Sequence, residues 1–213
     1  MAGRALSRRE LQKAEIRAEL IEAAHDLVRQ EGYEGLTIRK LAARVGYAPM
    51  SVYSYFPDKH AILFALAQDA FAMLARRMER DPPAGPLEAL VKLMREYAAF
   101  GFDNPNEYRT VFMTRDPADF PDSEMKGVQK DNPALQLLLK RVQACVDAGV
   151  LAGDVFAIAT LIWTFGHGMV SLLISFPNYP FGDRDAFVER TIELCLAGIR
   201  SAPVAPLANS EGC

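Results

Sequence analysis

The chain has 213 residues, of which 50% are hydrophobic and 24% charged, enough apolar material for a true core and too much for a wholly disordered chain. Its formal net charge of −3 and isoelectric point near 5.7 exclude a protein that coats nucleic acid through bulk positive charge. Three scattered cysteines, Cys145, Cys195 and Cys213, lack C-x-x-C spacing and exclude a disulfide framework; with His25, His60 and His167 far apart in sequence, no metal site is expected. The charged start has no apolar stretch of secretory type, so no signal peptide is expected either.

Positive charge gathers at the amino end, in Arg4, Arg8, Arg9, Lys13 and Arg17. Residues 1–60 carry ten Lys and Arg against eight Asp and Glu, whereas the remainder carries fourteen against nineteen, a basic head on an acidic body. Residues 1–12 read as a flexible basic arm, either a contact to backbone or minor groove or a solvated tail. Residues 10–31 predict a first helix, amphipathic through Ile16, Leu20, Ala24 and Leu27.

Residues 37–59, TIRKLAARVGYAPMSVYSYFPDK, predict two short helices around a three-residue turn. Thr37 suits an N-cap, because its hydroxyl accepts from an orphan N–H. Leu41, Ala42 and Val45 share one apolar face. Gly46 fits the reversal, where a left-handed residue carries no Cβ penalty, and Pro49 fits the first turn of the second helix. Val52 and Phe56 extend the apolar face at a spacing of four, and opposite them lie Ser51, Tyr53, Ser54 and Tyr55, with Lys59 beyond. A helix buried on one side and hydroxyl-rich on the other suits a DNA groove, where hydroxyls and lysine meet phosphate oxygens. The other reading is a plain αα-hairpin whose tyrosines pack against a neighbour.

The pattern T-I-R-x-L-A-x-x-V-G followed by S-V-Y-x-Y-F-P-D-K is similar to the helix-turn-helix of the tetracycline-repressor (TetR) family of bacterial regulators, and Ile21, Ala24, Leu27 and Gly32 fit the helix before it. The resemblance covers roughly residues 14 to 66. Ala48 stands where that family often has a serine cap, and Met50 where it often has glycine or another small residue. The resemblance implies a DNA-reading head using Thr37, Arg39, Ala48, Pro49, Met50, Ser51, Tyr53, Tyr55 and Lys59. Ala48, Pro49 and Met50 are expected nearest the bases, and Tyr53 and Lys59 on phosphates. Thr37 is expected to add its amide or hydroxyl, and Tyr55 to hold a phosphate or be partly core.

Helices are predicted almost throughout the rest. One runs from after Pro57-Asp58 to about Arg80, stopped by Asp81-Pro82-Pro83-Ala84-Gly85. Another covers 87–102, and a short one runs from Asn104-Pro105 through Phe112. Residues 114–122 read as an aspartate- and proline-rich loop, with helical character resuming near Ser123 and running from Pro133 to Ala148. Residues 155–176 carry no formal charge and are long enough to cross a membrane. Recurring Thr160, Thr164, His167, Ser171 and Ser175, with Asp154 and Asp183 flanking, favour a buried helix instead. The last helix, 184–200, is amphipathic, with Phe187, Thr191, Leu194, Cys195 and Gly198 on its apolar side. The segments near 155–176 and 184–200 are expected to meet their copies in a homodimer, with Gly166, Gly168 and Gly198 allowing close approach.

Trp163, His167 and Gly168, in W-T-F-G-H-G-M-V-S-L, resemble the tryptophan-histidine-glycine (WHG) signature of a carboxy-terminal domain in one branch of the same family. Trp163 and His167 share a helical face, either lining an effector cavity or forming a core pair. Tyr97, Phe100, Tyr108, Phe112 and Met113 are further candidates for the cavity wall.

The expectation is an all-α protein: an arm at 1–12, a helix-turn-helix domain at 13–60, an effector-binding and dimerisation domain at 61–201 and a disordered tail at 202–213. The resemblance implies a bacterial cytoplasmic, nucleoid-associated regulator with three partners: an operator duplex, a small apolar effector and a second copy of itself. No catalytic residue, cofactor, metal or membrane partner is expected. A repressor released by ligand is the leading reading; an activator of the same fold, or an adaptor that does not bind DNA, is the alternative.

Overall fold

The computed structural model describes residues 7–113 and 132–207. The expected loop at 114–122 and the start near Ser123 lie outside the described residues, as do Arg4 and Cys213. Regular structure among the described residues is helical, apart from one parallel backbone pairing between Gly153 and Val204. The chain forms two compact units: a head, from the described parts of Met1–Ala70 and Asn104–Pro121, and a body, from those of Phe71–Asp103 and Asp122–Cys213.

In the head, α1 spans Arg8–Gly35. Its start is fixed by a reciprocal cap: Glu10 N–H donates to Ser7 Oγ at 3.3 Å, and Ser7 N–H donates to Glu10 Oε2 at 2.7 Å. Residues 8–12, expected to be a flexible arm, are therefore helical, although exposed. The S-x-x-E box carried that signal. Regular helix breaks at Gly32, with φ +72° and ψ −169°, and one more turn follows to Gly35. Leu20, Ala24, Leu27 and Val28 of α1 join Leu41, Val52, Phe56, Ile62 and Leu66 in one apolar cluster.

A short α6, Pro105–Tyr108, runs on as a π-turn over Arg109–Met113 and packs on α1. Glu107 is 2% exposed; its Oε1 lies 2.9 Å from His25 Nδ1 and 3.1 Å from Arg29 Nε. Asn106 Nδ2 donates to the Arg29 carbonyl at 2.8 Å, and His25 Nε2 lies 3.6 Å from Asp69 Oδ2. These contacts place 104–113 with the head and not in the expected 61–201 domain. A buried carboxylate needs donors, and those of Glu107 are about eighty residues upstream, beyond any local pattern.

The body takes the second half of α4 (Lys59–Glu79), with α5 (Pro86–Asp103), α7 (Pro133–Asp147), α8 (Val155–Ser175) and α9 (Arg184–Ser201). Asp58 Oδ1 accepts from Ala61 N–H at 2.8 Å and starts α4. Side-chain caps from Asn132, Asp154 and Asp183 start α7, α8 and α9. Ion pairs fasten the helices: Arg77 to Glu96 and Asp103 at 2.7 and 2.6 Å, and Arg95 to both oxygens of Glu189 at 2.7 and 2.6 Å.

The apolar side of α9 is rotated from expectation. Val188, Ile192, Cys195, Leu196 and Ile199 are buried, whereas Leu194 is 58% exposed and Gly198 is exposed. Burial pushes the Cys195 thiol up to about 11 and raises Cys145 too, so both are inert packing groups at neutral pH. Of the expected disordered tail, residue 204 is ordered: Val204 N–H donates to Ala152 O at 2.9 Å, and Asp154 N–H to Val204 O at 2.8 Å.

That clip needs a glycine. Gly153 sits at φ +125°, and a Cβ there would meet Val204 O at 2.2 Å and Val204 N at 2.4 Å. Gly153→Ala is expected to lower stability by about 1–3 kcal/mol in denaturant unfolding, and Val204→Ala, which keeps both backbone bonds, by less. An unchanged midpoint for Gly153→Ala would contradict the clip.

Candidate nucleic-acid interface

The surface in question is built by α2, Ile38–Val45, and α3, Pro49–Val52. Thr37 caps α2: its Oγ1 accepts from Lys40 N–H at 3.2 Å. Gly46 closes α2 in the left-handed region at φ +74°, with Tyr47 N–H donating to Ala42 O at 2.9 Å. Pro49 takes the first position of α3. Ala48 supplies no side-chain cap, the consequence of alanine where a hydroxyl would serve. The second helix is shorter than the apolar spacing suggests, because Phe56 precedes Pro57 and is kept out of the α region. Turn bonds continue it instead, Tyr55 N–H and Phe56 N–H both donating to Val52 O at 2.9 and 3.0 Å.

Val52 and Phe56 are each 1% exposed, so one side of α3 is fully committed to the core. On the other side Ala48, Pro49, Met50, Ser51, Tyr53 and Ser54 are exposed, with Tyr53 at 47% and Met50 at 76%. Thr37 and Arg39 are exposed on the first turn of α2. Tyr55 is half-buried against the head core, in keeping with a partly structural part.

Charge sorts these residues further. Lys40 pairs with Glu31, and Arg44 reaches Asp26 Oδ2 at 3.3 Å and Gln30 Oε1 at 3.0 Å. Arg39 makes no ion pair or hydrogen bond among the described residues. Lys59, expected on phosphate, is turned back instead: its Nζ lies 3.7 Å from the centroid of the Tyr33 ring and 3.3 Å from the Tyr33 carbonyl oxygen. Reasoning from sequence missed Tyr47, immediately after the turn glycine. Desolvation, then the Glu19 carboxylate, Tyr55 and a hydrogen bond to Glu19 raise its phenol above the ordinary value. Tyr47 thus ties the turn to α1.

The seven effector candidates are divided between the two units. Tyr108 is fully buried in the head, its ring 4.7 Å from that of Phe112, while Met113 is 39% exposed there. Tyr97, Phe100, Trp163 and His167 belong to the body. Phe100 is core at 3% exposure, and Tyr97 packs on Gly166, 3.5 Å from where a Cβ would stand, so Gly166 is used within the subunit. Trp163 is 47% exposed, neither an enclosed wall nor a core residue. Its ring lies 6.1 Å from that of His167, which burial holds below the ordinary imidazole value. A shallow open depression on the body is lined by Pro83, Leu87, Glu88, Val91, Lys92 and Arg95, none of them a candidate. No cluster of three or more metal-ligating side chains occurs among the described residues.

Residues 20–66 match the family described as Bacterial regulatory proteins, tetR family, and residues 90–195 that described as Tetracyclin repressor-like, C-terminal domain. The narrower WHG resemblance rests on Trp163, His167 and Gly168 alone. The HTH-type transcriptional repressor AcnR of Corynebacterium diphtheriae is 26% identical over 188 residues, 87% of this chain and 92% of that one. The tetracycline repressor protein class A from transposon 1721 of Escherichia coli is 30% identical over 152 residues, covering 71% and 63%. Among solved structures, the transcriptional regulator FadR from Bacillus subtilis, in complex with stearoyl-CoA, superposes with a TM-score of 0.69. It is 21% identical, over 85% of this chain and 98% of that one. With a reading head matched at one end and a regulatory body at the other, this chain belongs to the TetR family of DNA-binding transcriptional regulators and is not an enzyme.

Proposed function

We propose that this protein is a repressor that binds a palindromic operator as a homodimer and is released by a small molecule with an apolar part. The observation that carries the DNA reading is Met50, the most exposed large hydrophobic side chain among the described residues, held at the start of α3 by the buried Val52 and Phe56. An exposed methionine gains nothing in water but suits a thymine methyl in a major groove. Around it, Ala48 and Pro49 approach base edges, and Thr37, Arg39, Ser51 and Tyr53 serve phosphate oxygens. Tyr55 mainly supports the turn, and Lys59 mainly fastens α4 to the end of α1.

Dimerisation is supported by exposed apolar side chains on two body helices: Phe156 at 55%, Trp163 at 47%, Phe165 at 48% and Leu172 at 50% on α8, and Leu194 at 58% on α9. Gly168 and Gly198 have open space where a Cβ would stand, which permits close approach of another helix. A twofold pair sets two α3 segments one helical turn of DNA apart, about 34 Å. The effector works by differential affinity for a conformation in which that spacing is lost. A hundredfold loss of operator affinity requires about 2.7 kcal/mol of coupling. FadR, solved with stearoyl-CoA, supports an effector with an apolar part.

Selection of duplexes from a random pool tests this directly. Enrichment of inverted half-sites about 10 base pairs apart is the expected result; a protein that enriches no duplex would overturn the proposal. Arg39→Ala should reduce the slope of log K against log salt by about one, with the selected sequence unchanged. Met50→Ala should change base preference at one position per half-site and leave that slope alone. Lys59→Ala should lower Tm by about 2–4 °C, from the loss of roughly 1 kcal/mol of cation–ring contact, and move the slope less than Arg39→Ala does. A full unit of slope lost at Lys59 would return that residue to the phosphate contacts.

A further inference from the structure

Ahead of the head core, α1 carries its charges sorted by sign. Residues 8–15 are all exposed, and the core begins only with the partly buried Ile16. Arg9, Lys13 and Arg17 recur every fourth residue, so they share one line along the helix. That line continues the apolar side of α1: Arg9 stands about five turns ahead of Leu27, and Lys13 about three turns ahead of Ala24, both buried in the head. Glu15 and Glu22 point to the opposite side. Glu19 is taken by the Tyr47 phenol, and Glu10 is closed by its reciprocal cap with Ser7. The line also has a fixed place beside α3. Arg17 covers the Phe56 ring at 4.8 Å and Glu19 bonds Tyr47, and these two aromatics bracket α3 after its end and before its start. At about 3.6 residues per turn, Arg9 and Lys13 point between the directions of Arg17 and Glu19. They therefore overhang the core on the side where α3 lies. A merely solvated helix end needs no such sorting. Nor does it need a cap, whereas turns with no core to hold them fray unless their start is fixed.

We infer that Arg9, Lys13 and Arg17 form a second DNA-contacting surface, which grips backbone phosphates of the duplex beyond the stretch that α3 reads. This rests on the reading of α3 as a DNA-facing segment and adds a contact to it. Arg17 borders the end of α3, and Arg9 lies about 12 Å farther along the axis of α1. The phosphates that Arg9 meets therefore lie outside the stretch read by α3. Cations about 6 Å apart along a helix suit a polyanion with one charge per ~3.4 Å of axis on each strand. Phosphates carry no sequence, so the stripe adds affinity and salt dependence and leaves the selected bases unchanged. The cap on Ser7 keeps the first turn helical, which holds Arg9 in line with Lys13 before the duplex arrives.

Anisotropy titrations of the full-length protein at several salt concentrations test this. The selected duplex either ends at its half-sites or carries about ten further base pairs, one helical turn, on each side. Wild type should bind the flanked duplex about tenfold more tightly, with a steeper salt slope. The double variant Arg9→Gln/Lys13→Gln touches no buried residue and keeps good helix formers. It should lose most of that gain and about two units of slope per subunit, with the short duplex unaffected. Its Tm and its selected sequence should match wild type. Ser7→Ala, which changes no charge, should weaken the flanked duplex by about twofold to fivefold and the short one not at all. A gain from the flanks that survives in the double variant would overturn the inference and leave the stripe to an acidic protein or to solvent. A wild-type protein that gains nothing from the flanks would overturn it too, as would Ser7→Ala binding as tightly as wild type. A changed base preference in the double variant would place the stripe on base edges, and a lowered Tm would mark its cations as paired within the fold; either result also overturns it. All of these failures leave the reading of α3 standing, whereas a wild-type protein that selects no duplex would sink that reading itself.

Discussion

Burial of Val52 and Phe56 is the interaction on which the reading surface depends. A helix of four residues has no stability of its own in water, since nucleation fixes several dihedrals for a single hydrogen bond. What keeps α3 in shape is its buried side: Val52 and Phe56 lie within the cluster formed by α1, α2 and α4, and the Arg17 guanidinium covers the Phe56 ring at 4.8 Å. Full burial of two such side chains contributes on the order of 1.5–3 kcal/mol each. Because the two lie four residues apart, together they fix the rotation of the segment as well as its position. The exposure of Met50 and Tyr53 is therefore a consequence of packing and not of local propensity.

The same head manages its charge economically. Asp26 lies 3.6 Å from Arg29 and 3.3 Å from Arg44, and Arg29 in turn meets Glu107. Lys40 is matched by Glu31. Most of the cations near α2 are therefore neutralised from within, among the described residues. What remains open is Arg39, with hydroxyls beside it.

Much of this was legible in the sequence. Thr37, Gly46 and Pro49 each declare a helix end through backbone chemistry, and Asp81-Pro82-Pro83 stops α4 as any double proline must. Local rules failed where a residue's partner lies far along the chain. Glu107 reads as an ordinary helical acid until His25 and Arg29 are brought to it. Lys59 reads as a surface cation until Tyr33 comes beneath it. Val204 reads as tail until Gly153 lies alongside. The rotation of α9 was missed for another reason: with apolar or small residues on more than half its circumference, periodicity alone does not say which of two neighbouring stripes meets the subunit's own core. Trp163 escaped in the same way, because α8 is apolar on every side.

That all-round apolarity also bears on the partner. Among the described residues α8 is the helix long and apolar enough to cross a bilayer, with a mean hydropathy of 1.7 over its best window. Seven of its residues, from Ala157 to Ile174, are nevertheless buried against α5, α7 and α9, and Asp154 caps its first turn with a charge. A lipid-facing helix has no use for such a packed half. The remaining apolar surface, with Phe156 and Trp163 a heptad apart and Leu194 on α9, has the character of a protein contact. In the proposed homodimer a second copy of the chain covers this surface. The interface of such a proposed pair is isologous, and a twofold axis through α8 and α9 also duplicates α3. One α3 displays a single methionine and a few hydroxyls, too little to specify a site in a genome. In the proposed homodimer it is displayed twice at a fixed spacing, which doubles the information read.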